Sequence, residues 1–198
     1  MPRIGSEEYK ENVRKKITNV ALEVFAKKGY RQATMGDVAK QMNVTKPTIY
    51  IYFKNKEQLL EAISETQQVH LNERLRQWVK NGDLWNYKTM LENRAKLSIQ
   101  NEHLLSLWLE IISEVPRNAA VKKIVLKNLE TRRKIIEEAI EDRRRKKLIT
   151  SKSDSRSLSI AFITILIGHQ VLQVLKIDAP ELDKVMQELM NAMWASNH

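Results

Sequence analysis

The sequence predicts an all-α protein. Apolar residues recur at helical spacing, as in the stripe formed by Ile17, Val20, Ala21, Val24 and Phe25. Five glycines and four prolines in 198 residues favour a few long helices over a sheet of many short strands. Residues that cap helices also precede several of the apolar stretches. Together these observations predict about nine helices.

The first four helices have clear boundary signals. A helix over residues 7–28 ends at Gly29, and Thr34 opens a short helix with Asp37 in the capping-box position. Asn43 suits the left-handed backbone of a sharp turn. Thr45 can cap a second short helix that has Pro47 in its first turn, and Asn55 caps a helix over residues 56–80.

Five further helices are expected after Gly82. Their predicted ranges are 85–100, 102–115, 118–147, 154–176 and 180–194, with Pro116 and Pro180 marking two of the boundaries. No flexible linker divides the chain. We expect a helix-turn-helix domain over residues 1–56 and a C-terminal helical domain over residues 57–198, with the 56–80 helix joining them.

Composition excludes several classes of protein. The chain has no cysteine, which excludes disulfides and cysteine–zinc sites and fits a reducing compartment. The N-terminus has no apolar core of a signal peptide, and the most apolar stretch, residues 158–168, is too short to span a bilayer. We therefore expect a cytoplasmic protein that does not associate with membranes.

Positive charge is concentrated at the N-terminus. The net charge is +10, and residues 1–56 carry twelve Lys and Arg against five Asp and Glu. A basic surplus of this kind indicates an anionic partner, and nucleic acid is the commonest one.

The two short helices form a helix-turn-helix, which places its second helix in the major groove of DNA. On that helix Ile49 and Phe53 face inward, so Lys46, Thr48 and Ile51 face outward. Lysine can bond guanine or phosphate, and a threonine or isoleucine methyl can touch the methyl of thymine. The tyrosines at the flanks suit phosphate, as do two helix N-termini. The predicted DNA-binding residues are Thr34, Thr45, Lys46, Pro47, Thr48, Tyr50, Ile51, Tyr52 and Lys56.

These residues resemble a known family. The resemblance rests on Gly29-Tyr30, Thr34, Val38-Ala39, the run VTKPTIYIYFKNKE over residues 44–57, and Leu59-Leu60. They are similar to the DNA-binding domain of the TetR family of prokaryotic transcriptional regulators, over about residues 10–62. One departure is Asn43, which stands where the family often has glycine and can adopt the same backbone.

The resemblance implies the rest of the architecture. TetR-family proteins are all-α homodimers that bind palindromic operators, usually as repressors. Their C-terminal domain binds a small molecule, and its last two helices pair with those of the partner. For this chain the resemblance implies double-stranded operator DNA, a small-molecule ligand and a second copy of the chain as partners. The bulky apolar residues of the C-terminal region favour a lipophilic or amphipathic ligand, either an acyl chain or conjugate or a drug-like compound. No cofactor or metal is predicted.

Candidate ligand-binding residues are bulky and mostly apolar: Trp78, Trp85, Leu104, Trp108, Phe162 and His169. Aromatic residues at helical spacing are also ordinary core, so a ligand cavity and a packed core both stay open for the aromatic residues. For His169 a core or interface position is the favoured interpretation.

A last apolar stripe predicts a dimer interface, because the C-terminal helices carry more apolar surface than one small domain can bury. Its residues are Val171, Leu182, Met186, Leu189, Met193 and Trp194, and the alternative is an intramolecular core. The basic run over residues 143–147 fits a solvated helix end better than a second DNA patch.

Two other classes of function were weighed. An enzyme is disfavoured because the chain has no HExxH, GxSxG, P-loop or GxGxxG motif. The second alternative is a constitutive or architectural DNA-binding protein without an effector. It would need the basic N-terminal surface but not the C-terminal two-thirds of the chain.

Overall fold

A computed structural model describes residues 6–86, 88–89, 102–175 and 180–194. Within these ranges the fold is all-α, as predicted. A short 3-10 turn over Asp83–Trp85 follows the fourth helix. The eight α-helices are α1 (Glu7–Lys28), α2 (Met35–Gln41), α3 (Lys46–Tyr52), α4 (Lys56–Asn81), α5 (Glu102–Glu114), α6 (Ala119–Arg145), α7 (Ser155–Val174) and α8 (Pro180–Trp194).

Most helix boundaries lie where local signals placed them. The Ser6 side chain accepts the Tyr9 N–H at 3.1 Å, and Gly29 ends α1 with φ 83°. Thr34 and Asp37 form the full capping box of α2. The predicted 85–100 helix falls largely outside the described residues.

The end of α6 confirms the interpretation of the basic run as a helix terminus. Lys147 has φ 58° and donates its N–H to the Arg144 carbonyl at 2.9 Å. Arg144 bonds the Ser153 carbonyl beyond the helix, and Lys146 pairs with Asp142 at 2.6 Å. These cations therefore satisfy groups at the end of their own helix.

The chain divides into two compact units. Unit 1 is Met1–Gln68 together with Ser106–Val125, so it takes in residues that sequence analysis placed in the C-terminal domain. The segment from α1 to Phe53, loops included, supplies most of its core, and the start of α4 adds Leu59 and Leu60. Leu107 on α5 and Val121 on α6 are also buried in this unit.

Unit 2 is Val69–Leu105 together with Leu126–His198. Its core joins residues from α4, the 3-10 turn, α6, the segment after α6, α7 and α8: Leu75, Leu84, Ile135, Ile136, Ile140, Ile149, Leu158, Phe162, Met186, Met190 and Trp194. No α-helix in the described ranges is long and apolar enough to cross a membrane.

Candidate nucleic-acid interface

The second and third helices are joined by a tight turn. Asn43 adopts φ 56°, and its N–H donates to the Lys40 carbonyl at 3.1 Å. The next N–H, of Val44, donates to the Ala39 carbonyl at 3.0 Å. Asparagine is one of the few residues other than glycine that tolerates this backbone, so the predicted turn is confirmed.

One face of α3 is buried and the other is open. Ile49 and Phe53 are 0% and 1% exposed, whereas Ile51 is 78% exposed. Lys46 and Tyr50 also face outward, and the Lys46 Nζ lies 5.8 Å from the centre of the Tyr50 ring. The outward residues are those predicted to reach base edges and phosphates; their contact with DNA stays a prediction.

The start of α3 differs from expectation in one detail. Thr45 occupies the N-cap position but its side chain accepts no backbone N–H. Its hydroxyl instead lies 2.9 Å from the hydroxyl of Thr48. This pairing fixes two of the predicted contact residues relative to each other at the exposed end of the helix.

The C-terminal end of α3 is held by Arg14 of α1. Its guanidinium donates to the Tyr52 carbonyl at 2.6 Å and lies 4.3 Å from the centre of the Phe53 ring. A groove of about 570 Å³ borders this contact, lined by Glu7, Tyr9, Lys10, Glu11, Arg14, Ile51 and Tyr52. The groove brings the first turns of α1 beside the exposed side chains of α3.

Two of the predicted phosphate contacts have other roles. The Thr34 hydroxyl donates to Asp37 at 2.8 Å and accepts the Asp37 N–H at 3.1 Å. The Lys56 ammonium donates to the carbonyls of Tyr30, Arg31 and Ala33 at 2.7, 3.2 and 3.1 Å. All three ammonium hydrogens are thus engaged within the protein, and phosphate contact at the N-terminus of α4 stays a prediction.

Sequence analysis missed a carboxylate that holds the α1–α2 loop. Glu110 on α5 accepts the N–H groups of Tyr30 and Arg31 at 2.8 and 2.7 Å. Glu114, one turn further, accepts two hydrogen bonds from the Arg31 guanidinium at 3.0 and 2.6 Å. The sequence showed only that these two acids share a helix face.

Tyr30 lies at the centre of this loop. Its ring packs edge-on against the Phe25 ring, with the two ring centres 5.4 Å apart. The Lys56 Nζ lies 4.5 Å from the centre of the Tyr30 ring. Burial raises the pKa of its phenol, and the nearby Glu57 and Glu114 carboxylates raise it further. At the N-terminus of α6, Asn118 donates to Glu57 at 3.1 Å. The loop, α4, α5 and α6 are therefore linked by polar contacts within unit 1.

The predicted ligand-binding residues are divided between the units. Trp78, Trp85, Leu104, Phe162 and His169 belong to unit 2, whereas Trp108 belongs to unit 1. Phe162 is fully buried, with its ring centre 5.7 Å from that of Trp194. Trp85 packs edge-on against Trp194 at 4.8 Å. This packing favours the core interpretation for Phe162, and ligand contact by any residue of this set stays a prediction.

The predicted stripe on α8 divides between a buried face, which is intramolecular core, and an exposed face, and dimer contact by its residues stays a prediction. Met186 and Trp194 are 8% and 6% exposed, and Met190 between them is fully buried. These three residues are spaced by four and so share one helix face, which packs into unit 2. Leu189 is 50% exposed, and Met193 and Val171 are partly buried. The side chain of Leu182 lies outside the described part of the chain.

Comparison with known families identifies the N-terminal domain. Residues 17–63 match the family model described as "Bacterial regulatory proteins, tetR family". The N-terminal domain belongs to the TetR family. The match covers α2, the turn and α3 together with parts of the flanking helices α1 and α4, which is the helix-turn-helix unit.

Curated relatives of this TetR-family chain are regulators. The fatty acid metabolism regulator protein of Bacillus subtilis is 39% identical over 64 residues, 32% of this chain and 33% of the relative. The transcriptional regulator QacR of Staphylococcus aureus is 36% identical over 99 residues, 50% of this chain and 47% of the relative. The chain therefore matches a third to a half of the length of these two relatives.

A solved structure shares the whole fold. The regulator FadR of Bacillus subtilis, crystallised in complex with stearoyl-CoA, superposes with a TM-score of 0.71 at 20% identity. The superposition covers 92% of this chain and 98% of FadR. At this identity the likeness establishes the TetR-family fold.

Proposed function

We propose that this TetR-family chain is a ligand-responsive transcriptional repressor that binds a palindromic operator as a homodimer. The observation that carries the proposal is the outer face of α3, where Lys46, Tyr50 and Ile51 are exposed on a rigid helix. The inner face of the same helix is fully buried through Ile49, so the exposed side chains have a fixed position.

The effector in this proposal is a small apolar or amphipathic molecule. The support comes from the relatives, one named as a fatty acid metabolism regulator and one solved with stearoyl-CoA. An acyl chain, free or as a conjugate, is therefore the first effector class to test. The effector lowers DNA affinity only if it binds the state that cannot bind DNA more tightly.

The polar contacts of unit 1 support a route for the response. Glu110 and Glu114 lie on α5, and they hold the loop that leads into the helix-turn-helix. The boundary between the two units falls within α5, between Leu105 and Ser106. The first residues of α5 therefore belong to unit 2 and the rest to unit 1. A coupling free energy of about 1–3 kcal/mol between effector and DNA would change operator affinity about 5–150-fold.

The decisive experiment is footprinting of the purified protein on DNA from its own gene neighbourhood, with and without acyl ligands. A discrete, two-fold symmetric protected site that is lost on adding a ligand is the expected result. Uniform protection of any sequence would instead identify an architectural DNA-binding protein. Protection that no acyl ligand weakens would contradict the effector class.

The assignment of α3 is tested with two variants on the protected site. Lys46→Ala or Thr48→Ala should cost about 1–3 kcal/mol of binding free energy and relax selection at one base position per half-site. Operator affinity should also fall steeply as salt rises, because phosphate contacts release counterions. The matched control is Lys40→Ala on the neighbouring helix, which should leave base selection unchanged. Full selectivity in both α3 variants would refute the assignment.

A further inference from the structure

We propose that Arg132 binds an anionic head group of the effector, whose apolar body is held by unit 2. The inference rests on the proposed effector-responsive function and adds the chemical class of the ligand and a residue that recognises it. Arg132 lies on α6, in the part of that helix that belongs to unit 2.

The position of Arg132 on α6 directs it inward. Ile136 and Ile140 follow it at intervals of four residues, and both belong to the core of unit 2, with exposures of 1% and 0%. Residues spaced by four share one helix face, so Arg132 continues this buried stripe by one turn. Sequence analysis did not single it out, because α6 carries many charged residues.

Among the described residues, the guanidinium of Arg132 has no hydrogen-bonded or ion-paired partner. Its Nε is fully buried and makes no hydrogen bond, and no carboxylate of the described residues pairs with it. The side chain as a whole is only partly buried, so its outer nitrogens still reach open space. A ligand can therefore approach the guanidinium without displacing a protein partner.

Neighbouring arginines on α6 are engaged. Arg133 forms ion pairs with both Glu130, at 2.7 Å, and Glu137. Arg143 lies 4.7 Å from the centre of the Trp85 ring, in a cation–π contact. The Arg143 Nε is likewise buried without a hydrogen bond, but Arg132 has neither an ion pair nor a cation–π contact among the described residues.

This charge cannot be removed by deprotonation. Burial lowers the pKa of Arg132, but a guanidinium stays protonated under all physiological conditions. A buried unpaired charge is costly, and such positions are usually paired or serve a site. A carboxylate or phosphate would supply the missing acceptors in a charge-assisted, two-pronged hydrogen bond.

A second unsatisfied polar atom lies in the same unit. The Asn72 Oδ1 on α4 is buried without a hydrogen-bond partner. It precedes the core residue Leu75 by three positions, on the same helix face. The buried polar residues of unit 2 are Arg133, Ser155, Ser159 and His169, beside a larger apolar core against which the partly buried Trp78 and Trp85 pack. Few polar groups among apolar ones are typical of a site for an amphipathic ligand.

The test compares head groups on one tail. Dodecanoate, dodecyl phosphate and dodecanol are titrated with the full-length protein by isothermal calorimetry, below the critical micelle concentrations of the two anions and below the solubility limit of dodecanol. We expect either anion to bind at least about tenfold more tightly than the alcohol, since charge-assisted hydrogen bonds are replaced by neutral ones. The two anions distinguish a free carboxylate from a phosphate-bearing conjugate. Equal affinity for all three, or binding of none, would overturn the proposal.

Variants assign the preference to this residue. Arg132→Met should abolish the preference for anions while keeping the affinity for dodecanol, and Arg133→Met, which removes the same charge one position away, should keep the preference. Arg132→Met should also leave the unfolding midpoint unchanged or raised, because it removes an unpaired buried charge. A purely structural arginine would instead lower that midpoint. If Arg132→Met does not fold, Arg132→Gln replaces it in the same titrations. An unchanged preference for anions in the variant that folds would refute the assignment to Arg132.

Gel shifts separate this proposal from the proposed function. If dodecanoate binds through Arg132 but leaves operator affinity unchanged, the anion site stands and the effector-responsive function fails. If a neutral compound releases DNA and the protein shows no preference for anions, the regulator stands and the role of Arg132 is wrong.

Discussion

Gly29 shows how a single position depends on a residue far along the chain. Its φ of 83° and ψ of 149° fall in a region that is almost exclusive to glycine. A Cβ on Gly29 would lie 2.6 Å from the Glu110 Oε2, the atom that accepts the Tyr30 N–H. Both the backbone and the neighbouring carboxylate therefore require glycine here.

We predict that Gly29→Ala destabilises the protein by about 1–3 kcal/mol from backbone strain alone, with a further loss from displacing Glu110. Gly82 is the matched control, because its φ is 84° but nothing lies within 4 Å of an added Cβ. Urea unfolding should rank Gly29→Ala as the more damaging change. In a double-mutant cycle, Glu110→Ala should reduce the cost of Gly29→Ala. Equal costs for the two glycines would contradict the role of Glu110.

At the scale of the element, α2 depends on its capping box. Three interactions lower the pKa of Asp37 from 3.8 to about 2: first the hydrogen bond from Lys28, then those from the hydroxyl and the N–H of Thr34. Because the pKa is lower in the folded state, the stabilisation is present above about pH 4 and is lost as the pH falls through about 2.

The lowered pKa of Asp37 predicts how the stability of Asp37→Asn depends on pH. The variant should be less stable than the unmodified protein at pH 7, and the difference should shrink as the pH falls from 4 to 2. Unfolding by urea at several pH values measures it. In Lys28→Met the Asp37 pKa, followed by NMR, should move back toward 3.8. A stability difference independent of pH would show that the carboxylate charge is not what stabilises the cap.

The elements show what sequence could and could not predict. The ends of α1 and α2 and the turn at Asn43 depend on residues within four positions of each other, and all three were predicted correctly. The hydrogen bond from Tyr30 to Glu110 joins residues 80 positions apart. No local pattern reports such a contact. For the same reason, the apolar pattern on α8 predicted an apolar helix face but not which surface each of its residues packs against.

At the scale of the whole molecule, α8 presents two apolar faces with different roles. Met190 is fully buried in unit 2, whereas the adjacent Leu189 and the nearby Val185 are 50% and 49% exposed. Exposed apolar residues that recur at a spacing of four are typical of a helix that packs against another surface. We assign this second face to the proposed dimer.

Adjacent substitutions separate the two faces. Leu189→Glu should convert the dimer to a monomer without loss of helix content and should weaken operator binding, since a monomer reaches only one half-site. Met190→Glu should instead unfold the protomer, because it buries an unpaired charge, at a cost above about 3 kcal/mol. Analytical ultracentrifugation and circular dichroism report the two outcomes. A Leu189→Glu protein that remains dimeric would place the interface elsewhere.

The discontinuity of unit 1 also sets an order of events during synthesis. Its first segment ends at Gln68, and its second segment is complete only at Val125. At about 5–20 residues per second, the ribosome takes roughly 3 to 11 s to make the residues between these two points. Until Glu110 is made within that interval, the amides of Tyr30 and Arg31 lack the carboxylate that accepts their hydrogen bonds in the folded protein. The loop between α1 and α2 therefore gains its Glu110 contacts only after more than half of the chain has been translated.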